Sequence, residues 1–342
     1  MDNQIRNGDA SNWRKRQKVI PTIIAVSDLH GNMKKWEVIK RLLKCNPKTI
    51  IYILGDAMDR GEDGLRILLE IKTLSEKTGR VKYIPGNHDS FAYDFMTYNF
   101  KKSKDEIEKK IYDDAEYRLI TNGGYSTVKQ LKTFGAENIK AFKELTEWLG
   151  SLPVQRVVTV NGQIYALAHA VFDNEMYQWS KYFNLKEAQD YYHTFCILDK
   201  ELFNIKNKKL NAQTLAILRE NSLYNEMFKG KNHKLGLEEL LTIKDNLLNR
   251  YEKFINIMDY REDDKRTQHA PLMLPTDCKM IVGHTHQDKV NERKLYGVPI
   301  VYIDTGLDER NFAGYNLTYD CPQPLFIRDN PSRDPLHQQN IH

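Results

Sequence analysis

Six short apolar runs, each followed at once by polar side chains and in most cases a glycine, constrain the fold of this chain more than any other feature. They are TIIAV at 22–26, IIYIL at 50–54, VKYI at 81–84, IYALA at 164–168, KMIV at 279–282 and PIVYI at 299–303. Short apolar runs bounded by turn residues are typical of buried strands. Helical spacing in 33–44 and 64–74 separates the first three runs. This alternation predicts a layered α/β core.

Residues 173–270 follow a different pattern, because their segments are long, polar and helical and no core-like strand interrupts them. We interpret this stretch as a helical insertion or cap between two core strands. The core itself is then expected to comprise residues 21–172 and 271–328. Residues 1–20 and 329–342 are expected to be flexible terminal segments.

Composition narrows the class of protein. No apolar stretch approaches the ~20 residues that span a bilayer, and the first residues contain no apolar signal region. The 4 cysteines form no CxxC pair, so neither a zinc knuckle nor a disulfide framework is indicated. A net charge of +5 does not by itself indicate nucleic acid. We therefore expect a cytoplasmic protein without a membrane partner.

Polar side chains collect where the predicted strands end. Ligands of open α/β sheets bind outside the carboxyl ends of strands. Mixed oxygen and imidazole ligands suit divalent manganese, iron, nickel or zinc. The residues at these ends are Asp28, His30, Asp56, Asp59, Arg60, Asn87, His88, Asp89, His169, His284, His286 and Asp304.

The order of these motifs resembles the calcineurin-like metallophosphoesterases. The motifs are DxH at 28–30, GDxxDRG at 55–61, GNHD at 86–89, a lone histidine at 169 and GHTH at 283–286. NGG at 122–124 and LP at 152–153 make the chain most similar to the phosphoprotein phosphatase branch, which includes bacterial and phage Ser/Thr phosphatases and symmetrical diadenosine tetraphosphate hydrolases. The resemblance covers 22–172 and 272–306. It implies a β-sandwich flanked by helices that carries two divalent metal ions, with manganese the first candidate.

Carried over by position, the resemblance also implies the metal ligands. The first metal takes Asp28, His30 and the bridging Asp56. The second takes Asp56, Asn87, His169 and His284. His286 departs from the phosphatase pattern; wider relatives use this histidine on the first metal, and the alternative is a turn histidine that faces solvent.

Each ligand type has a physical reason. A carboxylate such as Asp56 can bridge two cations, and the neutral oxygen of Asn87 keeps the site attractive to a phosphate. Two metals lower the pKa of a shared water, so the hypothesis is direct attack of a metal-bridging hydroxide on a phosphomonoester.

Three further residues are assigned to catalysis by the resemblance. Asp59 would hydrogen-bond His88, raise the pKa of its imidazole and fix its orientation, so that His88 protonates the leaving group. Arg60 would bind phosphoryl oxygens with its planar guanidinium. Without the resemblance, a salt-bridged turn would explain Asp59 and Arg60 equally well.

The chain also departs from the branch. Pro85 and Asp89 stand where an arginine and a glutamate are usual, so one phosphate-binding cation is missing. Arg261 could supply a second substrate-binding arginine, beside Arg60 and Asn87, although a surface ion pair is the alternative. Asp304 is either a partner of a metal-binding histidine or a turn residue.

These features leave three functions open. The first is a Ser/Thr-type protein phosphatase acting on a phosphorylated substrate. The second is a dinucleoside tetraphosphate hydrolase or nucleotide phosphoesterase, which Pro85 and His286 favour. The third is a non-catalytic binding protein on the same fold, which the large insertion would serve. Oligomeric state is left open.

Overall fold

The computed structural model describes residues 21–99, 105–172, 183–204, 212–221, 223, 227, 237–259, 276–306 and 309–325. The expectations for the two terminal segments and for Arg261 concern residues outside these ranges. Within them, the six predicted apolar runs form strands whose bounds differ from the prediction by at most one residue. These strands are β1 (Ile23–Val26), β2 (Ile50–Leu54), β3 (Val81–Ile84), β5 (Gln163–Ala168), β6 (Lys279–Val282) and β8 (Val298–Tyr302).

The strands form two five-stranded mixed sheets. The first has the order β10-β9-β1-β2-β3 and the second β4-β5-β6-β8-β7. In the first sheet β1, β2 and β3 are parallel, and the antiparallel pairs β1/β9 and β9/β10 extend the sheet on one side. In the second sheet β5, β6 and β8 are parallel at the centre, and antiparallel β4 and β7 form the two edges. The sequence analysis did not single out these outer strands, which are β4 (Gln155–Val160), β7 (Asn291–Leu295), β9 (Ala313–Asn316) and β10 (Cys321–Pro324).

Alternation along the strands explains why the central runs are apolar throughout. In β6, Ile281 faces the core between the two sheets, whereas Met280 and Val282 face the core beneath the helices. Ala25 of β1 likewise belongs to the inner core. Strands buried on both faces read as continuous apolar runs. The predicted α/β sandwich flanked by helices is therefore confirmed.

Helices cover the outer faces of the sheets. The predicted helices at 33–44 and 64–74 are α1 and α2, and α2 continues for four residues beyond the predicted end. Asn32 caps α1 by accepting hydrogen bonds from the amides of Lys34 and Lys35 at its side chain. The helices of this part are α1 (Met33–Cys45), α2 (Gly64–Thr78), α3 (Asn87–Asn99), α4 (Glu106–Thr121), α5 (Tyr125–Glu137) and α6 (Ile139–Gly150).

Among the described residues between β5 and β6 there are three further helices. They are α7 (Leu185–Asn204), α8 (Ala212–Glu220) and α9 (Leu237–Asp259). Helices α7 and α9 pack on each other and on α3. Buried Tyr191 and Phe254 join the same hydrophobic core as the helices of the first half. No helix within the described ranges is both long and apolar enough to cross a bilayer.

A carboxyl group buried between α3 and α7 makes the stability of this packing depend on pH. Asp94 of α3 accepts from Gln189 Nε2 of α7 at 2.7 Å. Burial raises the pKa of the Asp94 carboxyl to about 7, although the bond from Gln189 and the charge of Arg118 act in the opposite direction. The folded state thus holds this proton more tightly than the unfolded chain does. The contribution of Asp94 to stability falls as pH rises from about 4 to about 7.

Asp94→Asn is therefore expected to stabilise the protein at pH 8 and to have little effect near pH 4. Asparagine keeps the acceptor for Gln189 and is never charged. Each unit of pKa shift corresponds to about 1.4 kcal/mol, so we expect a gain of at least about 1 kcal/mol at the higher pH. Urea denaturation at both pH values measures this gain in the free energy of unfolding. Asp113→Asn, at an exposed position on α4, is the matched control; a gain equal at both pH values would contradict the prediction.

Candidate metal centre

The carboxyl ends of the central parallel strands meet in one region and supply the polar residues predicted from the sequence. Gly283 N donates to His169 O at 2.9 Å, and His284 N donates to Asp28 Oδ2 at 3.1 Å. His169 Nδ1 donates to Leu54 O at 2.7 Å. Because the last two bonds each join one sheet to the other, the carboxyl ends of β1, β2, β5 and β6 converge on a single centre.

Backbone strain is concentrated in these loops. Non-glycine residues with positive φ cost free energy and gather at functional sites. Such residues elsewhere in the described ranges lie in the turns around Asn161, Tyr296 and Asp320. Those of the centre are Asp28 (53°), His30 (44°), Asp56 (56°), Asp59 (66°), Arg60 (63°) and His284 (60°).

One carboxylate oxygen lies among three imidazoles. Asp56 Oδ2 is 3.4 Å from His169 Nε2, 3.8 Å from His88 Nε2 and 3.9 Å from His30 Nε2. The other oxygen, Oδ1, accepts from His88 N at 3.2 Å. Asp56 is 2% exposed. The geometry places one buried negative charge where several nitrogen lone pairs converge.

Hydrogen bonds fix which nitrogen of two histidines faces this centre. His30 Nδ1 donates to Met58 O at 3.1 Å, as His169 Nδ1 does to Leu54 O. A backbone carbonyl only accepts hydrogen bonds, so Nδ1 carries the proton in both rings. Nε2 is therefore the nitrogen that each histidine offers to a cation.

The remaining predicted ligands surround His169. Asn87 Oδ1 lies 3.1 Å and His284 Nδ1 lies 3.2 Å from His169 Nε2. Asp28 Oδ1 lies 3.6 Å from His30 Nε2. The structure thus brings six of the seven predicted metal ligands together, all with buried side chains.

The charges of this cluster indicate a cation site. Although burial raises the pKa of Asp28, the hydrogen bond from His30 and the charge of His169 lower it to about 2. Burial lowers the pKa of His169, yet the charge of Asp56 and its hydrogen bond raise it to about 10. Two buried carboxylates therefore remain ionised and attract positive charge, which protons supply when no metal does.

The residues present fit a divalent metal. Ligand atoms of Asp28, Asp56 and His169 all lie within 4.8 Å of one another. Their oxygen and imidazole donors are those that manganese, iron, nickel and zinc accept. His30, Asn87 and His284 supply further donors beside this group.

Glycines allow the loops to approach this closely. A Cβ at Gly86 would lie 2.2 Å from Asp56 Oδ1, and a Cβ at Gly55 would lie 2.6 Å from His169 Nδ1. Gly55 also has a φ of 84°. Both positions therefore exclude side chains, which explains the glycines of the GD and GN motifs.

Asp59 and His88 form a buried pair beside the cluster. Asp59 Oδ2 accepts from His88 Nδ1 at 2.5 Å. Burial lowers the pKa of His88, but the charge of Asp56 and the hydrogen bond to Asp59 outweigh it and raise that pKa above its ordinary value. The raised pKa favours the doubly protonated ring, and Nε2 faces the centre, 3.8 Å from Asp56 Oδ2. Thr127 Oγ1 accepts from Asp59 N at 3.1 Å and holds the loop.

Arg60 is exposed at the mouth of the centre. Its backbone N donates to Gly123 O at 3.0 Å, which explains the position of the NGG motif. The side chain lines an open depression of about 420 Å³ together with His30, Asn32 and Lys34. A phosphate that reached His30 from solvent would pass this guanidinium.

Sequence reasoning missed the residues that hold the Asp56 loop. Asp89 Oδ2 accepts from Asp56 N, Gly86 N and Tyr83 Oη at 2.9, 2.8 and 2.7 Å. The phenol of Tyr83 also accepts from Ala57 N at 3.0 Å. In the sequence, Asp89 is one of the polar residues at the strand ends and a departure from the family, with no role assigned to it. Tyr83 is there one residue of a predicted strand. Only their position in space identifies them.

A buried lysine is a second residue that the sequence did not reveal. Lys35 of α1 is 1% exposed. Its Nζ donates to the backbone oxygens of Asp28 and Gly306 at 3.0 and 2.6 Å. The lysine therefore joins the loop after β1 to the loop after β8. In the sequence it was one of two lysines at the start of a helix.

Two predicted residues lie outside the buried cluster. His286 is exposed, and its ring lies against Gly306, where a Cβ would be 2.3 Å from the ring. Asp304 Oδ1 accepts from Gly306 N at 2.8 Å, the bond of a turn residue. Burial and the charge of Asp28 raise the pKa of Asp304 to about 6. Arg261 cannot be placed, because it lies beyond the described end of α9.

The fold and this buried aspartate–histidine centre define a metallophosphoesterase, a hydrolase of phosphoric esters. The chain belongs to the calcineurin-like phosphoesterase family, which matches residues 21–288. This span includes every predicted metal ligand and the helices between β5 and β6. The family resemblance inferred from the motifs is thus confirmed.

Part of the chain is similar in sequence to a named tetraphosphatase. The chain is 33% identical over 69 residues to the symmetrical bis(5'-nucleosyl)-tetraphosphatase of Buchnera aphidicola subsp. Schizaphis graminum. That segment covers 20% of this chain and only 24% of the relative.

Solved structures of similar fold include phosphatases. A cold-active protein-tyrosine phosphatase of a psychrophilic Shewanella is 17% identical, with a TM-score of 0.38 over 88% of this chain and 76% of that one. A putative diadenosine tetraphosphatase is 11% identical, with a TM-score of 0.43 over 89% and 93%. A protein serine/threonine phosphatase of Saccharomyces cerevisiae is 12% identical, with a TM-score of 0.31 over 84% and 69%.

Proposed function

We propose that this protein hydrolyses phosphomonoesters with two divalent metal ions and acts as a Ser/Thr-type protein phosphatase. The observation that carries the proposal is the position of Asp56 Oδ2 within 3.4–3.9 Å of three histidine nitrogens. Ions bound there would lower the pKa of water and neutralise phosphoryl oxygens. Asp56 would be the ligand shared between the two ions, and manganese is the metal we expect first.

His88 supplies the proton for the leaving group. Its Nδ1 is held by Asp59, so its protonated Nε2 points towards the centre and cannot rotate away. A general acid of this kind contributes about 10²–10⁴ to the rate. Phosphate esters of serine and threonine need such an acid, because their alkoxide leaving groups are strongly basic.

Arg60 and Asn87 orient the phosphoryl group. Arg60 is exposed beside His30, where a guanidinium can donate two parallel hydrogen bonds to phosphoryl oxygens. Asn87 is 7% exposed and presents an amide to the same centre. The open depression next to Arg60 leaves room for a peptide that extends beyond its phosphorylated residue.

The test is phosphate release by manganese-loaded protein from p-nitrophenyl phosphate and from phosphoserine and phosphothreonine peptides. We expect turnover of all three, and Arg60→Ala should lower kcat/KM for the peptides by at least about tenfold, which corresponds to about 1.4 kcal/mol of binding. Protein with two bound manganese ions that hydrolyses no monoester would contradict the proposal.

A dinucleoside tetraphosphate hydrolase is the second candidate. The segment similar to the Buchnera tetraphosphatase supports it, and so does Pro85, which removes an arginine usual in protein phosphatases. Diadenosine tetraphosphate, assayed beside the phosphopeptides, separates the two. Symmetrical cleavage would give ADP, and the absence of nucleoside diphosphate would exclude this second function.

A further inference from the structure

The last residue of α9 contacts a histidine of the metal centre. Asp259 Oδ1 lies 3.0 Å from His284 Nε2. His284 is buried, whereas the Asp259 side chain is 41% exposed. The contact therefore lies at the outer rim of the centre, on the side of His284 away from His169.

The two nitrogens of His284 have different neighbours. Nδ1 lies 3.2 Å from His169 Nε2, inside the cluster. Nε2 faces the carboxylate of Asp259, which accepts a hydrogen bond and so retains the proton on that nitrogen. His284 is thereby left with an unprotonated Nδ1 that points at the metal centre. His30 and His169 are fixed in a related way by the carbonyls of Met58 and Leu54.

We propose that Asp259 is a positioning residue that holds His284 in the tautomer and orientation needed to bind a metal. The proposal rests on the proposed metal site. It gives the helices between β5 and β6 a direct role, because one of them delivers a carboxylate to a metal ligand. A carboxylate on the outer nitrogen also makes the inner nitrogen a stronger ligand.

Manganese binding tests this role without any substrate. Metal-free protein is titrated with Mn²⁺, and free ion is followed by electron paramagnetic resonance. We expect Asp259→Ala to lower the affinity for one of the two ions by about 10–100-fold and to leave the affinity for the other near the wild-type value. Asp259→Asn still accepts the hydrogen bond but lacks charge. Its affinity for the weakened ion should therefore lie between those of the wild-type protein and Asp259→Ala. Glu252→Gln, at an exposed position two turns earlier on α9, is the matched control.

The outcomes separate this inference from the proposed function. Two tight ions in wild-type protein together with unchanged binding in Asp259→Ala would overturn the role of Asp259 alone. Equal weakening of both ions, with a lower melting temperature of the metal-free protein, would overturn it in favour of a general packing role. Wild-type protein that binds no manganese would contradict both proposals.

Discussion

Replacing Asp56 with asparagine is expected to abolish metal binding and phosphate-ester hydrolysis together. Asparagine keeps the shape of the side chain and can still accept the hydrogen bond from His88 N. It removes a negative charge that lies within 4 Å of all three imidazoles, those of His30, His88 and His169. Two cations would then approach each other without a shared carboxylate between them. We expect kcat to fall by more than about 10³, since the loss of a single preorganised electrostatic contact costs about 10²–10³.

Metal analysis after dialysis and initial rates on the same sample measure this result. Asp113→Asn changes the same chemical group at an exposed position on α4 and should leave both quantities at the wild-type level. Circular dichroism of the metal-free protein checks that the variant is folded. An Asp56→Asn protein that retained two ions and more than a tenth of the activity would disprove the assignment of Asp56 as the shared ligand.

Replacing His88 with asparagine is expected to slow hydrolysis by about 10²–10⁴ while both metals remain bound. His88 belongs to the Asp59 pair and its Nε2 is 3.8 Å from Asp56 Oδ2, so it lies at the edge of the ligand set. The variant removes the proton donor and leaves Asp28, His169 and the other ligands in place. Loss of rate without loss of metal is what separates a general acid from a ligand.

The leaving group provides the internal control for this variant. An aryl phosphate with an acidic phenol needs little help from an acid, so its rate should fall least. A phosphoserine peptide, whose alkoxide is strongly basic, should show the largest decrease. A His88→Asn protein that had lost its metals, or that slowed every ester equally, would show that His88 does not act as the proton donor.

Much of the fold was predictable because its signals are local. Each central strand must be apolar on both faces, as Met280, Ile281 and Val282 show, and such runs are visible in any sequence. Strands β4, β7 and β10 were missed because their burial alternates or is slight; Arg293 in β7, for example, is exposed. Strand β9 is mostly buried, but its sequence AGYN is not a continuous apolar run. Helix α3 was also missed, since it begins inside the GNHD motif and its first turn consists of polar site residues.

The family, the central strands and the candidate metal-binding side chains are all visible in the sequence alone. Each motif of a strand end, a glycine and a candidate ligand lies within a few consecutive residues. It can therefore be recognised without knowledge of the fold. Only the tertiary structure decided how those side chains are held. The tautomers of His30 and His169 depend on carbonyls 28 and 115 residues away. The anchoring of Asp56 by Asp89 and the approach of Asp259 to His284 likewise join distant segments. Hydrogen bonds between residues far apart in the chain produce no periodic sequence pattern, because their geometry exists only after the sheets and helices have packed.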